Sequence, residues 1–285
     1  MSPKKTAPEL KLFTFNFYLN TNPKTKKEWK FEEGLAYAKA MGFKAIAIWD
    51  SNLVGPIHAA GLETMSYIDA NDKTYKLSLC RAKTMQPSRV NVQLWDHDTP
   101  PKVAVETWIK MAELAPHLDL NIDLEVHRDT CTETPEKTYE IAELYKQKTG
   151  KDIMMCFDFS HIALVKHLNP PYAERLLTHP RLIQKARQLH FRSFNGHHCQ
   201  VPILDGKGNL TIEAQQYIEF VDELLKCWLR GAKGGETLYV NPEQLPGPGY
   251  GLSTFNDIWM DVLALKDEIL RLWAKNIKLW QAGKL

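Results

Sequence analysis

From residue 11 to residue 281, short apolar runs of strand length alternate with longer stretches that repeat at the spacing of a helix face. Repetition of this kind demands parallel strands with helical crossovers, which leaves an open doubly wound sheet or a closed barrel. Residues 11–18 (KLFTFNFY) and 43–49 (FKAIAIW) read as strands around a helix over 31–41, with Gly42 as its C-cap. Within 52–72 the spacing predicts a helix over 60–68. Residues 75–80 (YKLSLC) then read as a strand, and 90–95 (VNVQLW) as a stronger one. Pro100-Pro101 opens a helix over 103–114.

The stretch 118–134 (LDLNIDLEVHRDTCTET) carries the clearest signal. Leu118, Leu120, Ile122 and Leu124 alternate with Asp119, Asn121 and Asp123, the period of a strand. The run ends in Glu125 and His127, two places apart and so on one face. Thr134 and Pro135 then supply an N-cap and a first helical position, opening a helix over 135–148 that Thr149-Gly150 closes. Residues 153–157 (IMMCF) form a buried-type strand ending in Asp158, with His161 three places on. A strand from Leu189 bears His190 and Arg192, and a Gly-rich loop over 205–209 follows. Tyr217, Phe220, Val221, Leu224, Leu225 and Trp228 mark one helical face. A strand over 237–240 leads through Asn241-Pro242 to Glu243. A Pro/Gly-rich loop and a long amphipathic helix over 253–281 close the chain, and residues 1–9 read as a polar, flexible tail.

About eight strands and eight helices result. No GxGxxG or GxxxxGK[ST] loop follows the first strand, so the fingerprints of open nucleotide-binding sheets are missing. Polar residues stand at the ends of successive strands, and only a closed ring brings all those ends together. The expected fold is therefore α/β, a single (β/α)8 TIM-barrel domain over 1–285, a length that such barrels commonly take.

A formal net charge of +2, with no basic run beyond 24–27, argues against a nucleic-acid surface. The N-terminus lacks the apolar centre of a signal peptide, and no stretch approaches a membrane span. Five scattered cysteines form no CxxC pair, which excludes a zinc ribbon or disulfide framework and fits free thiols in the cytoplasm.

Four consecutive strands end in a potential metal ligand: Glu125, Asp158, His190 and Glu243. Three carboxylates and one imidazole make a hard, oxygen-rich set, suited to one divalent ion such as Mn²⁺, Mg²⁺ or Co²⁺ more than to structural Zn²⁺. Four protein ligands on a six-coordinate ion leave two positions open. Two vicinal sugar oxygens there would have a carbonyl polarised and an enediolate stabilised.

On Glu125 in LEVHR, Asp158-x-x-His161 in FDFSH, His190 in LHFRSF and Glu243 in VNPE, the chain resembles the xylose-isomerase-like TIM-barrel superfamily. That superfamily holds sugar isomerases and epimerases, inosose dehydratases and the zinc AP endonucleases. The resemblance covers most of the chain and is clearest over 90–251. It implies that Glu125, Asp158, His190 and Glu243 bind one metal. It also implies that Glu125 and Glu243 act as acid and base on the carbon beside a carbonyl. His161 would bind substrate or support a ligand. Arg192 would hold a substrate oxygen or phosphate, and His127 is a similar candidate. The expected partner is a sugar or sugar phosphate, with a subunit contact open to any tryptophan left exposed on the last helix.

The chain also departs from the pattern. Many epimerases carry a glutamate where Trp49-Asp50 stand here. The Asp-x-His pair of the endonucleases is missing after His190, where His197-His198 follow instead, and His97 stands in only loosely for an early-strand ligand. The leading expectation is a metal-dependent isomerase or epimerase of a sugar or sugar-like polyol ketone. The alternatives are an AP-endonuclease-type hydrolase, a dehydratase sharing the site, and a non-catalytic binding barrel.

Several residues have plainer readings. A strand-end carboxylate commonly caps a helix, and His161 follows Ser160 at a helix start. Glu236 competes with Glu243 but precedes its strand. Trp49, Trp95 and Tyr250 could wall a sugar site, Trp95 equally serving as barrel core. Trp259, Trp273 and Trp280 fit packing against the barrel, and Cys156 fits a small core position.

Overall fold

Strand β1 (Glu9–Phe15) pairs on one side with β2 (Ala45–Ile48) and on the other with β8 (Thr237–Pro242). The second pairing closes the sheet. The computed structural model describes residues 6–247, 250–255 and 257–285, so the first five residues of the expected tail lie outside the described part. Between these strands run β3 (Glu63–Ala70), β4 (Arg89–Leu94), β5 (Ile122–Val126), β6 (Met155–Asp158) and β7 (Ala186–Phe191). All neighbours are parallel, in the order β1 to β8 around a closed barrel.

The helices wrap this ring: α1 (Phe31–Ala40), α2 (Val54–Ala59), α3 (Tyr75–Thr84), α4 (Pro101–Leu114) and α5 (Pro135–Thr149) cover the first half. Three short helices, α6 (Phe159–Val165), α7 (Ala173–Leu176) and α8 (Pro180–Ile183), precede α9 (Ile212–Gly231) and α10 (Ile258–Gln281). Among the described residues, no helix is long and apolar enough to cross a membrane.

Strand β5 shows how the pattern builds the barrel. Its alternation puts Ile122, Leu124 and Val126 on one face, where they join the hydrophobic core, and Asp123 and Glu125 on the other. Asp123 accepts hydrogen bonds from Arg89 on β4 and from Gln188 on β7, the latter at 2.7 Å. Only the barrel interior brings those three strands within reach, so the polar face of β5 points inward. A fully buried carboxylate is tolerated there because the guanidinium and the amide satisfy it.

Two neighbouring assignments are exchanged relative to the sequence reading. Residues 60–68, read as helical, contribute β3, and residues 75–80, read as a strand, begin α3. The decisive chemistry is at Asn71. Its side chain accepts from the backbone of Lys73 and Thr74, while Thr74 Oγ1 accepts from the Asn71 backbone. This turn launches a helix whose buried residues, Leu79 and Ala82, are three apart, and the apparent alternation leaves Leu77 in solvent. Among the described residues the total of eight strands is unchanged.

Other boundaries move for local reasons. Leu118 ends a 3-10 turn and Asp119 adopts a left-handed φ of 55°, so β5 begins at Ile122. Glu9 belongs to β1, not to a tail, because its N–H donates to Glu236 O. The last helix begins at Ile258, capped by Asp257, not at 253.

Helix α5 starts where expected, with Thr134 Oγ1 accepting from Lys137 N. Thr134→Ala should lower the unfolding free energy by about 1 kcal/mol in a denaturant titration. An unchanged midpoint would show that the cap contributes nothing.

Candidate active site

Glu125, Asp158, His190 and Glu243 come from four consecutive strand ends and converge at the C-terminal mouth of the barrel. His190 is at the centre. Its Nδ1 lies 2.9 Å from Glu125 Oε1 and 3.2 Å from Glu243 Oε2, while Nε2 is 3.0 Å from the Tyr67 hydroxyl. Arg192, just beyond the end of β7 and two residues after His190, reaches the same mouth. Its guanidinium binds Glu243 Oε1 and approaches Asp158 Oδ2 at 3.5 Å. All five groups are almost completely buried.

Asp158 has two tasks. Oδ1 caps α6 by accepting from Ser160 N at 2.9 Å, so the plain capping reading is correct for that oxygen. Oδ2 turns to the site, 3.2 Å from His161 Nε2. His161 does not cap α6. Its ring sits with its centroid 3.9 Å from that of His127, whose Nδ1 donates to Arg128 O at 2.6 Å.

Burial by itself would raise the Glu125 carboxyl, but the His190 charge and contact hold it at about 2. Burial opposes the His190 cation as well, yet Cys156, Glu243 and Glu125 raise its pKa well above the ordinary value. For Asp158, Arg192 and His161 outweigh burial and hold the carboxyl below the usual range. His161 goes the other way, lowered to about 4 by burial despite Asp158 beside it, and is neutral at pH 7. Cys156 lies inside the cluster, but burial pushes its thiol up to about 12, as suits a core residue and not a nucleophile.

The donor set fits a divalent cation. Ligand atoms of Asp158, His190 and Glu243 lie within 4.8 Å of one another, and Glu125 and Cys156 make a second such group with the same histidine. Glu125 Oε2 is buried without a hydrogen-bond partner, and Asp158 Oδ2, also without one, has only the longer ionic approaches of His161 and Arg192. An unpartnered buried carboxylate oxygen such as Glu125 Oε2 is costly unless a cation satisfies it.

The remaining sequence candidates divide. His127, His161 and Arg192 join the cluster. Trp95 lies near the mouth but turns its indole outward, with Nε1 donating to Thr107 on α4 at 3.0 Å and φ at +58°. His97 is half-exposed on the rim, and its contacts are with Asp129 at 2.6 Å and Asp98 at 3.5 Å, not with the cluster. His197 pairs with His167 at 2.9 Å in exposed loops. Glu236 binds Arg187 at 2.9 Å before β8, away from the strand ends that carry the cluster. Tyr250 receives two guanidinium groups over its ring, Arg128 at 5.0 Å and Arg192 at 4.9 Å. Trp259 packs in the core, stacked 4.8 Å from Tyr18.

Sequence reasoning missed Tyr67. It lay in the segment read as helix, where its alternation with Ser66 and Ile68 would have marked it as inward-facing. Phe13 and Phe15 were recognised only as aromatic strand residues. Phe13 meets His190 edge-on at 6.0 Å, and Phe15 lies 5.6 Å from Tyr67.

No family model matches the sequence, and no curated protein matches it. Solved structures do match the fold. An L-ribulose 3-epimerase is similar over 96% of both chains, with a TM-score of 0.58 and 13% identity. A xylose isomerase domain-containing protein from Salmonella typhimurium is similar over 94% of this chain and 99% of that one, with a TM-score of 0.57 and 13% identity. A probable 3-DHS dehydratase from Bacillus anthracis gives 94% and 98%, with a TM-score of 0.53 and 13% identity. What these structures share with the chain is the closed barrel of eight strands with its surrounding helices. At this identity the likeness speaks for the fold.

Proposed function

We propose that this chain is a divalent-metal-dependent isomerase or epimerase of a sugar or sugar-like polyol ketone. The observation that carries the proposal is the pair of glutamates, Glu125 and Glu243, both brought to His190 Nδ1 within one buried cluster. The xylose-isomerase-like fold and the 3-epimerase among its structural neighbours support the same class.

Glu125, Asp158, His190 and Glu243 would hold the ion. Bound there, it would polarise a substrate carbonyl and acidify the neighbouring C–H bond. The protein does the rest. One glutamate takes the proton from the carbon beside the carbonyl, and the other returns one on the opposite face, which inverts that centre. Arg192 gives N–H donors to the substrate oxygens, and its contact with Tyr250 fixes the angle of the guanidinium plane. Neutral His161 donates or accepts one hydrogen bond from a sugar hydroxyl without bringing charge. Burial keeps bulk water from competing for the proton.

A dehydratase would use the same opening proton abstraction, and the similarity to a probable 3-DHS dehydratase keeps it as the second reading. Incubating the manganese-supplied protein in deuterium oxide with a panel of ketoses and following mass and configuration separates the two. Deuterium gain with inversion supports epimerisation, and loss of water supports dehydration. Neither change on any ketose would overturn the proposal.

Metal uptake gives an independent check. The carboxylates beside His190 raise its pKa and favour its protonated form in the metal-free protein, whereas ligation requires the ring neutral. Binding should release close to one proton. Affinity for Mn²⁺ should rise about tenfold per pH unit while the pH stays below the His190 pKa. Calorimetry in buffers of different ionisation enthalpy measures the release, and elemental analysis should give one ion per chain. Two or more tightly held zinc ions would favour the hydrolase reading instead.

A further inference from the structure

The mouth of the barrel is charged on the β5 to β8 side and aromatic on the β1 to β3 side. Tyr67 stacks on His190 at 5.5 Å, with 26° between the ring planes. Trp49 lies 5.5 Å beyond Tyr67, and Phe17 is stacked 6.5 Å beyond Trp49 at 20°. Phe15 backs the series, 5.8 Å from Trp49 and 4.9 Å from Phe17. The row starts at the central histidine and ends in solvent, where Trp49 is 51% exposed and Phe17 37%. Exposure of an indole and a phenyl ring in one stack sacrifices burial that the fold alone would favour.

A cavity of about 840 Å³ adjoins the row at Trp49 and Tyr67 and extends along α3 past Leu77 and Met85. Trp95 adds aromatic surface to it and Asp69, Gln93 and Asp96 polar groups, while Phe17 borders the row beyond it. That volume lies near the upper end of the range for small-molecule sites, roughly 300–1,000 Å³, and exceeds what one small ring needs. The mixture suits carbohydrate. The C–H face of a pyranose lies against the electron-rich faces of aromatic rings, while its hydroxyls donate to carboxylates and exchange hydrogen bonds with an amide. Arg81 also lines the cavity and offsets one of the two carboxylates, so the lining carries little net charge for a ligand to match.

Resting on the isomerase or epimerase reading of the buried cluster, we infer that the substrate carries a second, neutral sugar ring, and that Trp49 and Phe17 bind it outside the reacting one. The protein is thus a glycoside-directed enzyme. The reacting ketose, in its open-chain carbonyl form, sits over Glu125, His190 and Glu243, and the outer ring lies along the aromatic row. Trp49 and Phe17 touch substrate but no reacting atom, so they determine selectivity through binding.

The test uses the full chain supplied with manganese and three probes: D-fructose, D-fructose 6-phosphate and isomaltulose, in which a glucosyl ring is linked to O6 of fructose. Calorimetric titration should show isomaltulose binding at least about tenfold more tightly than D-fructose, a difference of ~1.4 kcal/mol. Trp49→Ala and, separately, Phe17→Ala should bring the two sugars to within about threefold while leaving D-fructose binding where it was. Both side chains are solvent-exposed, and an unchanged thermal midpoint confirms that each variant is folded.

Equal affinity of the wild type for isomaltulose and D-fructose, absence of binding to both included, overturns the inference. So does tighter binding of the 6-phosphate than of isomaltulose, or a preference that survives both substitutions. Deuterium exchange on the same samples keeps the two proposals apart. Exchange on D-fructose without a preference for isomaltulose removes the second ring alone, and a preference in binding without exchange on any ketose removes the epimerase reading alone.

Discussion

Glu125→Gln is expected to lose exchange of substrate carbon-bound hydrogen with solvent by a factor of about 10²–10⁴, the usual contribution of a positioned acid–base group. Glutamine keeps the length and shape of the side chain but cannot accept and return a proton. Glu243→Gln should do the same. Both residues are also proposed ion ligands, so each variant is assayed with manganese at saturation and its bound metal measured. Lost exchange with metal still bound assigns the loss to proton transfer. Full exchange in either variant would sink the two-glutamate mechanism. Inversion needs both carboxylates and should fall in either variant, whereas the remaining glutamate can still exchange the hydrogen that faces it. Exchange is therefore read on the epimer whose hydrogen faces the replaced residue; a single-base reaction would lose exchange of both epimers together.

Arg192→Met should be the most destabilising change in the mouth. The guanidinium is 2% exposed and is held against Glu243 and near Asp158, with Glu125 close by through His190. Methionine fills much of the volume but leaves buried carboxylates without their cation, a defect that costs about 3–5 kcal/mol. Urea unfolding of the metal-free protein at pH 7 measures it. The loss should shrink as the pH falls. Asp158, whose folded pKa is depressed, contributes stability that is complete above its unfolded value of about 3.9 and is lost as pH falls through the folded one. In the variant the same carboxyl protonates earlier and relieves the defect. A change below 1 kcal/mol at pH 7 would show that the remaining groups compensate without Arg192. Arg192→Lys, which restores one charge without the planar fork, should recover part of the loss.

The barrel was legible in the sequence because parallel strands buried on both faces read as apolar runs, as residues 43–49 and 153–157 do. The four strand-end groups were legible for a related reason. A polar residue closing such a run has few places to go except the mouth. Where the pattern mixed signals, it failed. Tyr75 to Thr84 alternates like a strand over its first six residues, and only the side-chain turn at Asn71 shows that it is a helix. That error concealed Tyr67, since residues assigned to a helix cannot be sorted into inward and outward faces of a barrel. Trp95 and His97 were unreadable for another reason. The left-handed φ of Trp95 swings the indole onto α4, and His97 finds Asp129 on a neighbouring loop, both decided by tertiary contacts. The relation of His190 to Arg192 was by contrast legible from the strand period, which carries one residue past the end of β7.

The separation of charge on β5 to β8 from aromatic surface on β1 to β3 has an evolutionary consequence. Residues that grip the outer part of a ligand can be exchanged without altering the field at Glu125, Asp158 and Glu243, so specificity can drift while reactivity is retained. Phe17 and Trp49 are free to vary in this sense, being exposed and joined to the cluster only through neighbours. Tyr67 is not, because its hydroxyl meets His190 and ties the two halves together. Diversification of this barrel should therefore begin in the loops after β1 and β2 and stop short of Tyr67.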